Sequence, residues 1–275
     1  MTTGLELGSE FAGHRLEAIA GRGGMSTVYR AARVEDGGLV ALKVVGREFA
    51  GSRELRDRFA RECDVAASLD HPNVMPLYDW GERDGLLWVT MRYVGGQDLR
   101  ALSAGSPVEP RRAAAIVASV AGALDAAHAR GLVHRDVKPG NVLVESRAGA
   151  DGVWLADFGL AKRVSADPDL TPDGNWLGTA AYAAPEQIRG RAVDARADVY
   201  ALGGTLHHAL TGEVPYPRGD DDATMRAHLH EPPPRPAGEL GDVVARAMAK
   251  HPAERFPSAG ELGRAAVAAA ETAAD

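Results

Sequence analysis

The chain has 275 residues, and 31 Lys and Arg against 38 Asp and Glu leave a net charge of −7, which argues against a general nucleic-acid binder or a protein held to anionic lipid by charge. An apolar content of 45% excludes wholesale disorder, and the lone cysteine, Cys63, excludes an internal disulfide or a Cys-rich zinc module. The opening MTTGLELGSE lacks the basic and apolar regions of a signal peptide and no apolar run reaches the roughly 18 residues of a membrane span, so a cytoplasmic chain without a membrane segment is expected.

The first third reads as strands. Residues 28–32 and 39–45 favour β structure, and Glu35-Asp36-Gly37-Gly38 between them is a turn signal, which predicts a hairpin. Residues 53–69 carry Leu55, Phe59, Cys63 (or Glu62) and Ala66 at helical spacing, and the amphipathic helix they predict ends at His71-Pro72-Asn73. Two further apolar runs, 74–80 and 86–94, flank a turn at 82–85.

Beyond Gly95-Gly96 the periodicity becomes helical. Pro110 suits a first helical position, Ile116, Val120, Leu124 and Ala127 follow on one face, and Gly131 closes the end. Val199, Leu202, Leu206 and Leu210 form a second stripe ended by Gly212. A Pro-rich connector at 231–236 precedes two shorter helices near 238–250 and 258–270. The pattern is that of an α+β chain, with a small β-rich lobe followed by a larger, mainly helical one.

Four segments carry chemistry. Gly21-Arg22-Gly23-Gly24-Met25-Ser26 is either an ordinary turn or a cradle whose backbone N–H groups close over phosphate oxygens. Lys43 interrupts the apolar run 40–45, so it either points outward or is a buried cation with a carboxylate partner; Glu62, which interrupts the apolar face of the next helix, is the candidate partner. The loop His134-Arg135-Asp136-Val137-Lys138-Pro139-Gly140-Asn141 packs an acid, a base, a cation and an amide together. There Asp136 is suited to accept a hydroxyl proton and Asn141 to offer an oxygen to a hard cation. Sixteen residues later, Asp157-Phe158-Gly159 follows the strand-like 153–156, and Asn141 with Asp157 is an oxygen pair of the kind Mg²⁺ uses with nucleotide phosphates.

These segments, with Ala41-Leu42-Lys43, Glu62 and Ala184-Pro185-Glu186, resemble the protein kinase superfamily and, within it, the eukaryotic-like serine/threonine kinases of bacteria. The resemblance runs in order from about residue 11 to 262. It implies a two-lobed protein kinase-like fold with a domain at 11–270 (N-lobe about 11–94, C-lobe about 95–270) and short tails at 1–10 and 271–275. The implied activity is ATP- and Mg²⁺-dependent γ-phosphoryl transfer, with Mn²⁺ as an alternative ion, to Ser or Thr of protein substrates in bacterial signalling. Autophosphorylation, with a homodimer as one route to it in trans, belongs to the same expectation.

By that resemblance Lys43 binds the α- and β-phosphates and pairs with Glu62, Asp136 takes the acceptor proton, Lys138 steadies the γ-phosphoryl, and Asn141 and Asp157 hold the metal. Ala20 and the loop 21–26 cover the nucleotide, Val28, Ala41 and Leu143 sandwich the adenine with Met91 behind it, and Arg92-Tyr93-Val94 bonds its edge. Asp198 would hold the backbone of the 134–136 loop, and Arg255 would pair with Glu186. Arg135 would grip a phosphate on the segment 157–186, for which Thr171 is the candidate site, while Thr179 would contact Asp136. The departures are Ser26 in place of a glycine, Ala20 where a bulkier aliphatic usually stands, and Arg92 at a position often occupied by Glu.

Two rival classes weigh less. A pseudokinase usually lacks one of Lys43, Asp136 or Asp157, and a small-molecule phosphotransferase of the aminoglycoside type normally lacks the Ala184-Pro185-Glu186 segment. Elsewhere, Cys63 is expected to be a small buried hydrophobe, His71 and His134 to be structural, and the adjacent His207 and His208 to point apart rather than bind metal.

Overall fold

Alternating apolar side chains build the first of two compact units in the computed structural model, which describes residues 4–23, 26–46, 53–146, 149–158 and 180–272. This unit lies within 4–70 and 75–95 and contains β1 (Glu10–Phe11), β2 (His14–Arg22), β3 (Ser26–Arg33), β4 (Leu39–Val45), α1 (Arg53–Ala67), β5 (Leu77–Arg83) and β6 (Leu86–Arg92). The strands form one antiparallel sheet in the order β1-β2-β3-β4-β6-β5. The expected β3–β4 hairpin is present, with Tyr29 opposite Leu42 and Ala31 opposite Val40. Those four residues bury one sheet face together with Phe11, Leu16, Val44, Leu86 and Trp88. Strand pairing sets the other face: Val28 lies opposite Lys43, Lys43 opposite Val89, and Ala41 opposite Met91.

Three details differ from the sequence pattern. Strand β2 was not anticipated: it bulges twice and buries only His14 and Leu16, so it carries no clean alternation. Strand β5 runs on to Arg83 because the turn narrows to Asp84-Gly85, both left-handed (φ 52° and 71°), the geometry of a two-residue hairpin turn. Val74, expected to open that strand, belongs instead to the second unit, where it forms an isolated parallel bridge to Leu155.

The second unit lies within 71–74, 96–158 and 180–272. It comprises β7 (Gln97–Asp98), α2 (Leu99–Ser103), α3 (Pro110–His128), β8 (Val142–Glu145), β9 (Gly152–Leu155), α4 (Pro185–Ile188), α5 (Ala195–Thr211), α6 (Asp221–His230), α7 (Leu240–Ala247) and α8 (Ala259–Thr272). Side-chain carboxylates cap four of these helices at the N-terminus: Asp98 on α2, Glu109 on α3, Asp194 on α5 and Asp220 on α6. The predicted stripe of α3 (Ile116, Val120, Leu124, Ala127) is fully buried, and α3 packs against α5 and α8. Helix α5 ends at Gly212, whose φ of 77° is the left-handed cap a glycine adopts at no steric cost. Helix α6 was missed because its buried residues, Thr224, Ala227 and His228, are too polar to make a stripe. Among the described residues no helix is long and apolar enough to cross a membrane.

The small sheet β7-β8-β9 depends on one close approach. A Cβ on Gly96 would overlap the carbonyl oxygen of Val144 in β8, so only glycine admits β7 to its place beside β8. Gly96→Ala is therefore expected to cost about 2 kcal/mol. In a chain of this size that lowers the thermal midpoint by roughly 4–8 °C. Calorimetry of the variant against wild type checks it; an unchanged midpoint means the strand shifts freely.

Candidate active site

The loop after α3 is held by its backbone before any catalytic side chain is considered. Asp198, fully buried one turn into α5, accepts the N–H groups of His134 and Arg135, each at 2.8 Å, and the Nε2–H of His128 at 2.7 Å. Three donors on one carboxylate satisfy a charge that would otherwise be costly to bury. They also hold Arg135 at φ 65°, in the left-handed region that costs a non-glycine residue about 1–2 kcal/mol.

His134 is a structural residue. The Asp136 N–H donates to its Nδ1 (3.2 Å), so its proton sits on Nε2 and is given to the Ala156 carbonyl (3.0 Å). Complete burial pushes its pKa down, and its ring packs on Phe158 at 4.8 Å. With both nitrogens committed, His134 does not shuttle protons.

Asp136 carries the loop's carboxylate. Its Oδ2 accepts from Lys138 Nζ at 2.8 Å and from Asn141 Nδ2 at 3.2 Å. Asn141 Nδ2 also donates to the Asp136 carbonyl at 2.8 Å. The amide therefore spends its donor end on Asp136, which turns Oδ1 into the end available to a cation.

The sixteen-residue gap between Asn141 and Asp157 is closed by the β8–β9 hairpin, in which Val142 pairs with Leu155. Asn141 just before β8 and Ala156 just after β9 are joined by an Ala156 N–H to Asn141 carbonyl bond of 2.9 Å, so Asp157 emerges beside Asn141. Asp157 is the other strained residue here, at φ 60°. A carboxylate and an amide oxygen are hard donors of the kind Mg²⁺ accepts when nucleotide phosphates complete its shell.

In the first unit Lys43 is 5% exposed, which removes the outward-facing alternative, and Glu62 on α1 is buried as well. The neighbouring Cys63 thiol is pushed up to about 12 by burial and by the Glu62 charge, and is pulled back by Lys43. Both charges thus act at one place on α1, and Cys63 is an inert buried hydrophobe as its position suggested. Of the predicted nucleotide residues, Val28, Ala41, Lys43 and Met91 share one sheet face, while Leu143 stands on β8 in the second unit. Ala20, Gly21 and Arg22 end β2, Ser26 begins β3, and Gly23 N–H donates to the Ser26 carbonyl at 2.8 Å. Arg92 ends β6, and Tyr93 and Val94 follow it. Gly24, Met25, Gly159, Thr171 and Thr179 lie outside the described residues.

Glu186, in the first turn of α4, meets Arg255 in a buried bidentate pair at 2.6 and 2.8 Å. The remaining Arg255 donors go to the carbonyls of Arg196, Ala249 and Lys250, and its guanidinium lies 4.8 Å from the Tyr200 ring centre. Comparison with known proteins agrees with this arrangement. The family described as "Protein kinase domain" matches residues 14–258. The chain belongs to the protein kinase domain family. Serine/threonine-protein kinase PknJ of Mycobacterium tuberculosis is 43% identical over 275 residues, a match covering 96% of this chain and 46% of that one. PknD of the same species is 43% identical over 95% of this chain and 40% of its own length. The chain thus spans less than half the length of either relative. A crystal structure of the M. tuberculosis PknI kinase domain superposes with a TM-score of 0.77 at 37% identity, covering 97% of this chain and 99% of that one.

Two residues of this kinase-domain site carried no signal in the sequence. His128 completes the Asp198 carboxylate from the last turn of α3, and Gln187 reaches the Arg135 carbonyl from α4 at 3.0 Å. Each acts across more than fifty residues, where no periodicity can point to it. The pairing of Asp198 with the loop and of Arg255 with Glu186, by contrast, is found as expected.

The buried histidines set an acid limit. Burial and the Lys250 charge push His228 down to about 4, and His134 shifts the same way. Below about pH 6.5 the unfolded chain binds protons that these folded sites refuse, so their stability is complete above 6.5 and is lost as the pH falls toward 4. For His228 the loss is about 3 kcal/mol. Thermal midpoints between pH 7 and 4 should therefore fall less steeply in His228→Gln than in wild type; parallel curves would refute the assignment.

Proposed function

We propose that this chain is an ATP- and Mg²⁺-dependent serine/threonine kinase domain, spanning residues 11–270, that phosphorylates protein substrates and itself in the bacterial cytoplasm. The observation that carries this reading is the Asp136 carboxylate, held at 2.8 Å by Lys138 and at 3.2 Å by Asn141 on a loop whose backbone Asp198 fixes. A substrate hydroxyl oxygen forms a bond to the γ-phosphorus, the bond to the β–γ bridging oxygen breaks, and ADP leaves with that electron pair. The hydroxyl proton goes to the Asp136 carboxylate, and the Lys138 ammonium offsets charge on the transferred group. Asn141 Oδ1 and the Asp157 carboxylate would hold Mg²⁺ or Mn²⁺, which supplies charge neutralisation on the phosphate oxygens.

In the first unit Lys43, paired with Glu62, binds the α- and β-phosphates, Ala20 and residues 21–26 cover them, and Val28, Ala41 and Met91 contact the adenine. The strip Arg92-Tyr93-Val94 bonds the adenine edge through its backbone. Thr171 is the activating phosphosite, gripped by Arg135; Thr179 selects the short Ser or Thr hydroxyl; and a homodimer carries out autophosphorylation in trans.

Asp136→Asn is expected to lower transfer from labelled ATP by about 10²–10⁴-fold while nucleotide affinity stays near wild type. Phosphoamino-acid analysis of the wild-type product should give phosphoserine and phosphothreonine. Near-normal turnover in the variant, or mainly phosphotyrosine, overturns the mechanism. Lys43→Met should remove activity and keep the fold by circular dichroism, with Glu62→Gln a milder version of the same defect. Normal turnover in both would show that the pair is not part of the site.

A further inference from the structure

Gln187 lies one residue beyond the Glu186–Arg255 pair, is 2% exposed, and spends its amide in two directions. Its Oε1 accepts the Ala184 N–H at 3.1 Å, and its Nε2 donates to the Arg135 carbonyl at 3.0 Å. That division of labour fixes the amide's orientation, because a backbone N–H requires an acceptor and a carbonyl requires a donor. It also explains the residue type: a carboxylate would face the Arg135 oxygen with no proton, and an ammonium or guanidinium would offer Ala184 no acceptor.

The peptide group that Gln187 touches is the one leading into Asp136. Its carbonyl is held by Gln187, and its N–H, that of Asp136, by His134 Nδ1 at 3.2 Å. One residue back, the Arg135 N–H is held by Asp198 at 2.8 Å. Pinning both ends of one peptide plane sets ψ of Arg135 and φ of Asp136, and so the direction in which the Asp136 side chain leaves the backbone. Arg135 sits at φ 65°, where an unheld residue relaxes away, so the plane would turn if the carbonyl were released.

We propose that Gln187 is a positioning residue for phosphoryl transfer: through the Arg135 carbonyl it aims the Asp136 carboxylate at the acceptor hydroxyl, and it ties that aim to the α4 segment anchored by Glu186 and Arg255. The inference rests on the kinase reading above, since it assigns Gln187 a part in Asp136 chemistry. Gln187 acts on the hydroxyl side of the reaction, so its loss changes kcat and leaves the KM for ATP alone.

Two variants separate positioning from packing. Gln187→Met keeps the volume and loses both hydrogen bonds. Gln187→Glu keeps the acceptor for Ala184 and, when ionised, has no proton for Arg135; protonation of the introduced carboxyl restores a donor there. The charged groups around this position are Glu186 with Arg255, Asp198, Arg135 and Asp136, all present equally in wild type, so the variant-to-wild-type ratio isolates the introduced group. The test is steady-state transfer to a Ser/Thr protein substrate by the whole chain, with rates expressed per nucleotide-binding site, from pH 8 to 6.

At pH 8 both variants should show kcat at least tenfold below wild type with the KM for ATP within twofold. As the pH falls to 6, the Gln187→Glu ratio should rise several-fold while the Gln187→Met ratio stays flat. If kcat per binding site in either variant stays within twofold of wild type, or if the two ratios run parallel with pH, Gln187 is a packing residue and the proposal fails. A wild-type chain that transfers no phosphate overturns the kinase reading itself, and the role of Gln187 with it.

Discussion

The buried carboxylate of Asp198 is the contact on which the 134–141 loop depends. An ionised group with no exposed surface is tolerated only when its oxygens are filled, and here two backbone N–H groups and one imidazole fill them. The exchange works in both directions. The loop supplies the donors that make Asp198 affordable, and Asp198 holds Arg135 in a backbone conformation it would not adopt alone. Everything that follows in the loop, from the His134 tautomer to the Lys138 and Asn141 contacts with Asp136, is built on that fixed backbone.

A second buried charge plays a parallel part under α4. Every N–H of the Arg255 guanidinium has an acceptor, two of them on Glu186 and three on backbone carbonyls. Removing one partner from such a pair typically costs about 3–5 kcal/mol, because the other charge is left buried and unpaired. The pair therefore holds α4 to the helices behind it, and α4 carries the residue that reaches the loop. Two carboxylates thus stabilise the site from different sides: Asp198 on the N–H face of the loop, and Glu186, by way of its neighbour, on the carbonyl face.

The first unit works by a different economy. Its sheet buries one apolar face completely, and the register then forces Lys43 to the other face, in line with Val28 and opposite Val89. Among the described residues Glu62 is the one buried charged side chain of α1, and Lys43 on β4 is withdrawn from water as well. That inward placement is a cost the fold would not carry for stability alone.

Much of this protein was legible in the chain itself. Hydrophobic periodicity marked α1, α3 and α5, glycine and proline marked their ends, and the dense polar loop 134–141 with Asp157 marked the candidate site, because such residues are costly to bury. Strand β2 and helix α6 escaped because their burial is partial and their residues are polar, so no period survives to be read. Whether Lys43 faced solvent was open until the fold was known: register puts it on the sheet face away from the Leu42 core, and it is buried there because β4 is covered on both faces at that end. The hydrogen bonds made by His128 and Gln187 were decided by tertiary structure alone. Hydrogen bonds that close across fifty or seventy residues depend on how helices pack, and packing leaves no local pattern in the sequence.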